Sequence, residues 1–175
     1  MAAERIALAD LNTMETAACE TSLRQCCGST EWARRLSRAR PFANVAVLLE
    51  ASDRIWNDLS PDDWLEAFRS HPRIGQKKAA AAATARERSW SSAEQSGMDD
   101  AGDAVRSELS RMNDEYERRF GYIFLINATG KSPEQMLAAL RERLGNPPES
   151  ELRIAAGELA AITRLRLLKL LQNDR

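Results

Sequence analysis

Residues 40–72 read "RPFANVAVLLEASDRIWNDLSPDDWLEAFRSHP", and their pattern decides the fold. Phe42, Val45, Ala46, Leu49, Ser52, Trp56 and Leu59 recur at three- and four-residue spacing, and all but Ser52 offer apolar surface to one helical stripe. Ser60 then suits an N-cap, Pro61 the first helical position and Asp63 the residue that returns the capping bond. Trp64, Leu65, Ala67 and Phe68 supply the buried side of this second helix. Pro72 biases His71 away from helical dihedrals, so the helix stops there. The stretch therefore ends on the only histidine of the chain, at the negative end of a helix dipole that favours imidazolium. His71 reads either as a proton-transfer residue or as a C-terminal cap.

Downstream, helical signals continue. The alanine-rich segment 79–88 has high helix propensity with loose patterning, and reads as a helix or a lid. "SWSSAEQSGMDDAGD", residues 89–103, reads as a polar loop. It leads into a helix on which Val105, Leu109, Met112, Tyr116 and Phe120 share a face. "FGYIFLINATG", 120–130, breaks the helical rhythm with β-type residues between Gly121 and Gly130. A lone extended segment cannot pair with itself, so its backbone N–H groups need other partners, and a bound ligand is one candidate. Ser132, Pro133 and Gln135 open a further helix that Gly145 and the prolines after it close. A last helix spans about Glu149 to Leu171. These signals imply an all-α, single compact multi-helix domain covering 1–175, with a short extended segment near 120–127.

Composition narrows the function. The net charge is −1, from 25 Lys and Arg against 26 Asp and Glu, which argues against nucleic acid and anionic membranes as partners. No stretch approaches the roughly 20 apolar residues of a membrane span, and "MAAERIALAD" lacks a signal-peptide core. Cys19, Cys26 and Cys27 make an odd count with two adjacent, which suits a reducing, cytoplasmic setting better than disulfides or a zinc site.

Three further positions carry candidate chemistry. In "SSAEQSG", residues 91–97, three hydroxyls, a carboxylate and an amide stand within a few residues, as a ligand site or as a solvated loop capping the next helix. Glu94 gains a role if it meets His71, because a carboxylate beside an imidazole fixes its tautomer and holds its charge. On a helical wheel of the last helix, Ala156, Leu159, Thr163, Arg166, Leu167 and Leu170 fall within about 60° of Leu152, while Arg164 points roughly 120° away. An arginine on an apolar face needs a partner, either an anionic ligand or an internal carboxylate. The leucine-rich end of that helix is apolar nearly all round and suits contact with another subunit.

The order and spacing of these pieces resemble one family. From Leu11–Asn12 the resemblance runs through "STEWARRLSRARPF", "HPRIG", "SSAEQSGM" and "RMNDEYERRFGYIFLINATGKS" to "LRERLGN" and "ELAAITRLRL", nearly the whole chain. The sequence is similar to OHCU decarboxylases, which convert 2-oxo-4-hydroxy-4-carboxy-5-ureidoimidazoline (OHCU) to S-allantoin at the end of the route from uric acid. The resemblance implies an all-helical, typically homodimeric enzyme that needs neither cofactor nor metal. It implies His71 as the catalytic histidine, Glu94 as its catalytic partner, and Pro72, Ser91, Gln95 and Arg166 as substrate-binding residues. It also implies main-chain contacts to the substrate from Phe124, Leu125 and Ile126. The alanine run 79–83 departs from the family in composition, at the entrance to the pocket. Two readings of other classes stand beside this one: a helical interaction module, and a metal-dependent hydrolase using His71, Glu94 and Asp99 or Asp100.

Overall fold

The computed structural model describes residues 6–74, 85–94, 96 and 102–171. Among them lie nine helices and no strand, only an isolated parallel bridge between Ile6 and Leu171. They fall into two compact units, one within Met1–Ala67 and Ala160–Arg175, the other within Phe68–Leu159.

The first unit contains α1 (Leu8–Thr13), α2 (Thr16–Cys26), α3 (Thr30–Arg38), α4 (Val45–Asn57), most of α5 (Pro61–Arg69) and the end of α9 (Pro148–Leu170). α3 packs against both α2 and α4. Its Trp32 is wholly buried and donates its indole N–H to the main-chain carbonyl of Ser52 at 3.4 Å, which ties α3 to α4. Asn12 and Phe42 exchange two hydrogen bonds of 2.9 Å, tying α1 to the chain that enters α4. The capping read from sequence at α5 is present. Ser60 Oγ accepts from the Asp63 amide at 3.3 Å while Asp63 accepts from the Ser60 amide at 3.1 Å.

The second unit is built on α7 (Asp103–Phe120) and α8 (Pro133–Leu144), which pack on each other, with α6 (Ala85–Glu94) and the start of α9. Tyr116, Phe124, Met136, Leu140 and Leu109, each almost fully buried, join Ile74 and Ile126 in one core cluster. Each such side chain contributes roughly 1.5–3 kcal/mol of apolar burial. α7 ends at Gly121, whose φ of +82° reverses the chain direction at little cost to glycine. Residues 123–128 then run without helix or strand until Ser132 and Gln135 close the capping box of α8.

Two expectations need correction. The polar stretch from Ser89 is not a loop throughout, because α6 continues through Ser91 to Glu94. Trp90 and Ser91 are buried, and that packing sustains a helix in a sequence with few apolar residues. The buried face of α4 also differs from the stripe read: Ala46 is exposed, whereas Leu48, Ala51 and Ile55 are buried with Leu49, Ser52 and Trp56. The helix starts only at Val45 with Asn44 as its N-cap, so Ala46 lies in the first turn, away from α3. Of the segment 79–88, residues 79–84 lie outside the described residues.

Candidate active site

His71 follows α5 directly. Its amide donates to the Phe68 carbonyl at 3.1 Å, so its backbone caps the helix while its side chain is buried, 8% exposed. The capping reading of His71 therefore holds for its main chain. The turn is pinned on both sides to the segment after α7. Phe68 packs on Tyr122 with ring centroids 5.3 Å apart, and Ile74 joins the cluster that holds Phe124 and Ile126. Arg73 forms ion pairs with Asp114, at 2.7 Å, and with Glu117, both on α7. Pro72 is half-buried between these anchors. Two stretches far apart in sequence, "SHPRI" and "YIFLI", are therefore neighbours.

Phe124, Leu125 and Ile126 are buried. Arg143, on α8, donates from Nη1 to the Leu125 carbonyl at 2.7 Å and lies over the Phe124 ring at 4.5 Å. Its Nε donates to Glu151 Oε1 at 2.8 Å. Glu151, wholly buried, also accepts from the Tyr116 hydroxyl and, at 2.8 Å, from Asn146 Nδ2. Burial and this carboxylate hold the Tyr116 hydroxyl protonated well above its ordinary range. Further along, the Asn127 amide donates to Glu158 Oε2 at 2.7 Å and its carbonyl accepts from Lys131 Nζ at 2.6 Å.

Ser91 faces inward on α6. Glu94 closes the same helix, but its side chain, like Gln95, Asp99 and Asp100, lies outside the described residues. Arg166 belongs to the first unit and is buried, 4% exposed, as its place on the wheel required. Its positive charge acts on the Cys27 thiol, which burial nevertheless pushes up to about 11. Arg164, by contrast, is exposed and pairs with Asp53 at 2.9 Å beside a shallow notch also lined by Trp56 and Asn57. The wheel separated the two arginines correctly.

The chain matches the family model described as OHCU decarboxylase over residues 12–168. It belongs to the OHCU decarboxylase family. Among relatives of this family, the 2-oxo-4-hydroxy-4-carboxy-5-ureidoimidazoline decarboxylase of Amia calva is 38% identical over 135 residues, 76% of this chain and 75% of that protein. The uric acid degradation bifunctional protein TTL of Arabidopsis thaliana is 36% identical over 151 residues, 86% of this chain. The chain spans about half the length of that bifunctional relative, 47%. A crystal structure of OHCU decarboxylase in the presence of (S)-allantoin is 37% identical, with a TM-score of 0.72 over 84% of this chain and 94% of that one. A crystal structure of (S)-allantoin synthase, 22% identical, has a TM-score of 0.71 over 95% of this chain and 54% of that one, a likeness of fold.

Sequence reasoning passed over Arg143, Glu151, Glu158 and Arg73. A signal existed for the first. Met136, Leu140 and Arg143 recur at four- and three-residue spacing, so the arginine lies on the buried stripe of α8. Glu151 likewise shares a face with Ala155, Leu159 and Ile162 on α9. No pattern in the sequence pointed to Leu125 as what Arg143 would bind.

Proposed function

We propose that this chain decarboxylates OHCU to S-allantoin in uric acid degradation, with His71 and Glu94 as its catalytic pair. Pro72, Ser91, Gln95, Arg166 and the main chain of Phe124, Leu125 and Ile126 hold the substrate. The observation that carries this reading is the buried imidazole of His71 in a turn anchored by Phe68 and Ile74 to the segment 122–126. Family membership supplies the substrate.

The chemistry asks little beyond electrostatics and a proton. The bond between C4 and its carboxylate breaks, CO₂ leaves, and the electron pair passes into the neighbouring C5=N bond, which is conjugated with the C2 carbonyl, so the substrate is its own electron sink; the ring nitrogen takes up a proton, and another adds at C5 as the 4-hydroxyl proton leaves to give the product carbonyl. Backbone N–H groups of Phe124–Ile126 and the Arg166 guanidinium stabilise the enolate-like charge. His71, oriented and kept charged by Glu94, handles the hydroxyl and carboxylate region and controls the proton that fixes product chirality.

The family match runs unbroken over 12–168, across both compact units, which supports one domain covering 1–175. Cys19, Cys26 and Cys27 are all buried and in no disulfide, which favours a cytoplasmic setting. Among the described residues no helix is long and apolar enough to cross a membrane. Leu168 on α9 is 38% exposed and fits the homodimer that the resemblance implies.

The test uses OHCU generated freshly from urate, with EDTA present, and circular dichroism at the allantoin band. OHCU decays by itself to racemic allantoin, so chirality separates catalysis from background. A fast S-enriched signal that His71→Asn abolishes is expected, and Arg166→Lys should raise KM or lower kcat. A racemic time course from folded protein refutes the activity; full turnover in His71→Asn refutes the histidine's role.

A further inference from the structure

We propose that Arg143 and Glu158 are positioning residues that fix the main chain of Leu125 and Asn127 so that the amides of Phe124 and Ile126 are presented to the substrate. The inference rests on the functional reading above and adds to it the groups that set the geometry.

Residues 123–128 form neither helix nor strand, and in this stretch three of the four main-chain groups of Leu125 and Asn127 are taken. The Leu125 carbonyl accepts from Arg143 Nη1 at 2.7 Å, the Asn127 amide donates to Glu158 Oε2 at 2.7 Å, and the Asn127 carbonyl accepts from Lys131 Nζ at 2.6 Å. Phe124 and Ile126 alternate with them along the chain. Both residues are buried, and no described group accepts a hydrogen bond from either amide. Buried N–H groups of this kind are rare unless something else takes the bond. The carbonyl oxygens of a ureidoimidazoline are acceptors of the right kind.

Arg143 is built to hold still. The same guanidinium that meets Leu125 is forked onto Glu151, at 2.8 Å from Nε and 2.6 Å from Nη2, and lies on the Phe124 ring. Tyr116 and Asn146 hold Glu151 in turn. A planar fork fixes two partners at once, which one ammonium on a flexible stem cannot do. Glu158 comes from a different helix, α9, and fixes the residue after Ile126 as Arg143 fixes the one before it. Misplacing a substrate-holding group by about 1 Å costs on the order of 100-fold in rate, which is what two independent anchors around one residue prevent.

The experiment measures kcat and KM for OHCU in Arg143→Lys, Glu158→Ala and Glu158→Gln, alongside wild type and His71→Asn. Lysine keeps the positive charge beside Glu151, and Glu158 is half-buried, so these variants are chosen to stay folded; thermal melts check this. Amide hydrogen exchange over 124–127 is followed in the same proteins. Expected is a rise in KM of about ten-fold or more in Arg143→Lys and Glu158→Ala, with faster exchange in the segment, and recovery of most of the loss in Glu158→Gln, which keeps an acceptor oxygen. A purely structural role lowers the folded fraction and with it the apparent kcat, leaving KM alone. Unchanged KM in both folded variants, or a fall in kcat only, overturns the proposal. If wild type is active and His71→Asn is not, that overturning touches the anchors and spares the functional reading. If wild type fails to turn OHCU over, the functional reading is refuted and the proposal with it.

Discussion

Tyr116→Phe removes a single oxygen from the buried network that supports the candidate site. The ring itself keeps its neighbours, Phe120 at 4.6 Å, Phe124 at 5.3 Å and Tyr122 at 5.8 Å between centroids. What disappears is the hydroxyl that donates to the wholly buried Glu151 carboxylate. A hydrogen bond to a charged group contributes about 1.5–3 kcal/mol. Two donors to Glu151 remain, Arg143 and Asn146, so the variant should fold and lose about 2 kcal/mol, the middle of that range. For a chain of this size the loss corresponds to roughly 4–8 °C in Tm. Glu151→Gln should cost more, about 3–5 kcal/mol, because it leaves the buried Arg143 guanidinium without a counter-charge. The pH dependence has a definite sign. The Tyr116 pKa is raised above its ordinary 10.0, so its stabilisation is fully present below pH 10 and is lost as pH rises beyond it. The gap between wild type and Tyr116→Phe should therefore be constant from neutral pH up to about 10 and narrow above it. Urea denaturation at a series of pH values measures both effects. A difference below about 0.5 kcal/mol at pH 7, the scale of an ordinary surface substitution, or a smaller loss in Glu151→Gln than in Tyr116→Phe, refutes this account of the network.

Three other outcomes follow from local geometry. Gly121→Ala should cost about 1–2 kcal/mol through left-handed strain alone, since φ is +82° and a Cβ there would meet no atom within 4 Å; a denaturation midpoint equal to wild type would contradict this. Glu31 is held down to about 2, first by its hydrogen bond to Arg34 and then by that to Arg35, so its contribution is present above its ordinary 4.5 and disappears as pH falls towards 2. In acid titrations the stability difference between wild type and Glu31→Gln should close across that window, and a difference that persists at pH 2 counts against the pairing. Burial raises the Cys27 thiol to about 11, and Cys19 and Cys26 are buried too, so a thiol reagent at pH 8 should label native protein no faster than it unfolds, and urea should expose all three.

How far the sequence could be read varies with the kind of interaction. Capping is local, and Ser60 with Asp63 and Ser132 with Gln135 were legible because both partners lie three residues apart. The burial of Arg166 and the exposure of Arg164 were legible because periodicity assigns faces without knowing what they meet. α6 was misread at Ser91 because its helix rests on burial of Trp90 and Ser91, a tertiary fact, against a polar local sequence. Arg143 and Glu151 lie eight residues apart with two prolines between them, and nothing local announces that they pair.

By itself the sequence determined the all-helical class, the capped starts of α5 and α8, the family, and the residue types available for proton transfer and anion binding. Each of those depends on short-range spacing or on an order of motifs along the chain. Only the tertiary structure decided that the His71 turn lies against the segment after α7, and that this segment is held by Arg143 and Glu158. Those contacts join residues brought together by burial of the Tyr116–Phe124–Ile126 core, and the energy that brings them together is nonlocal and carries no signature in the spacing of any one motif.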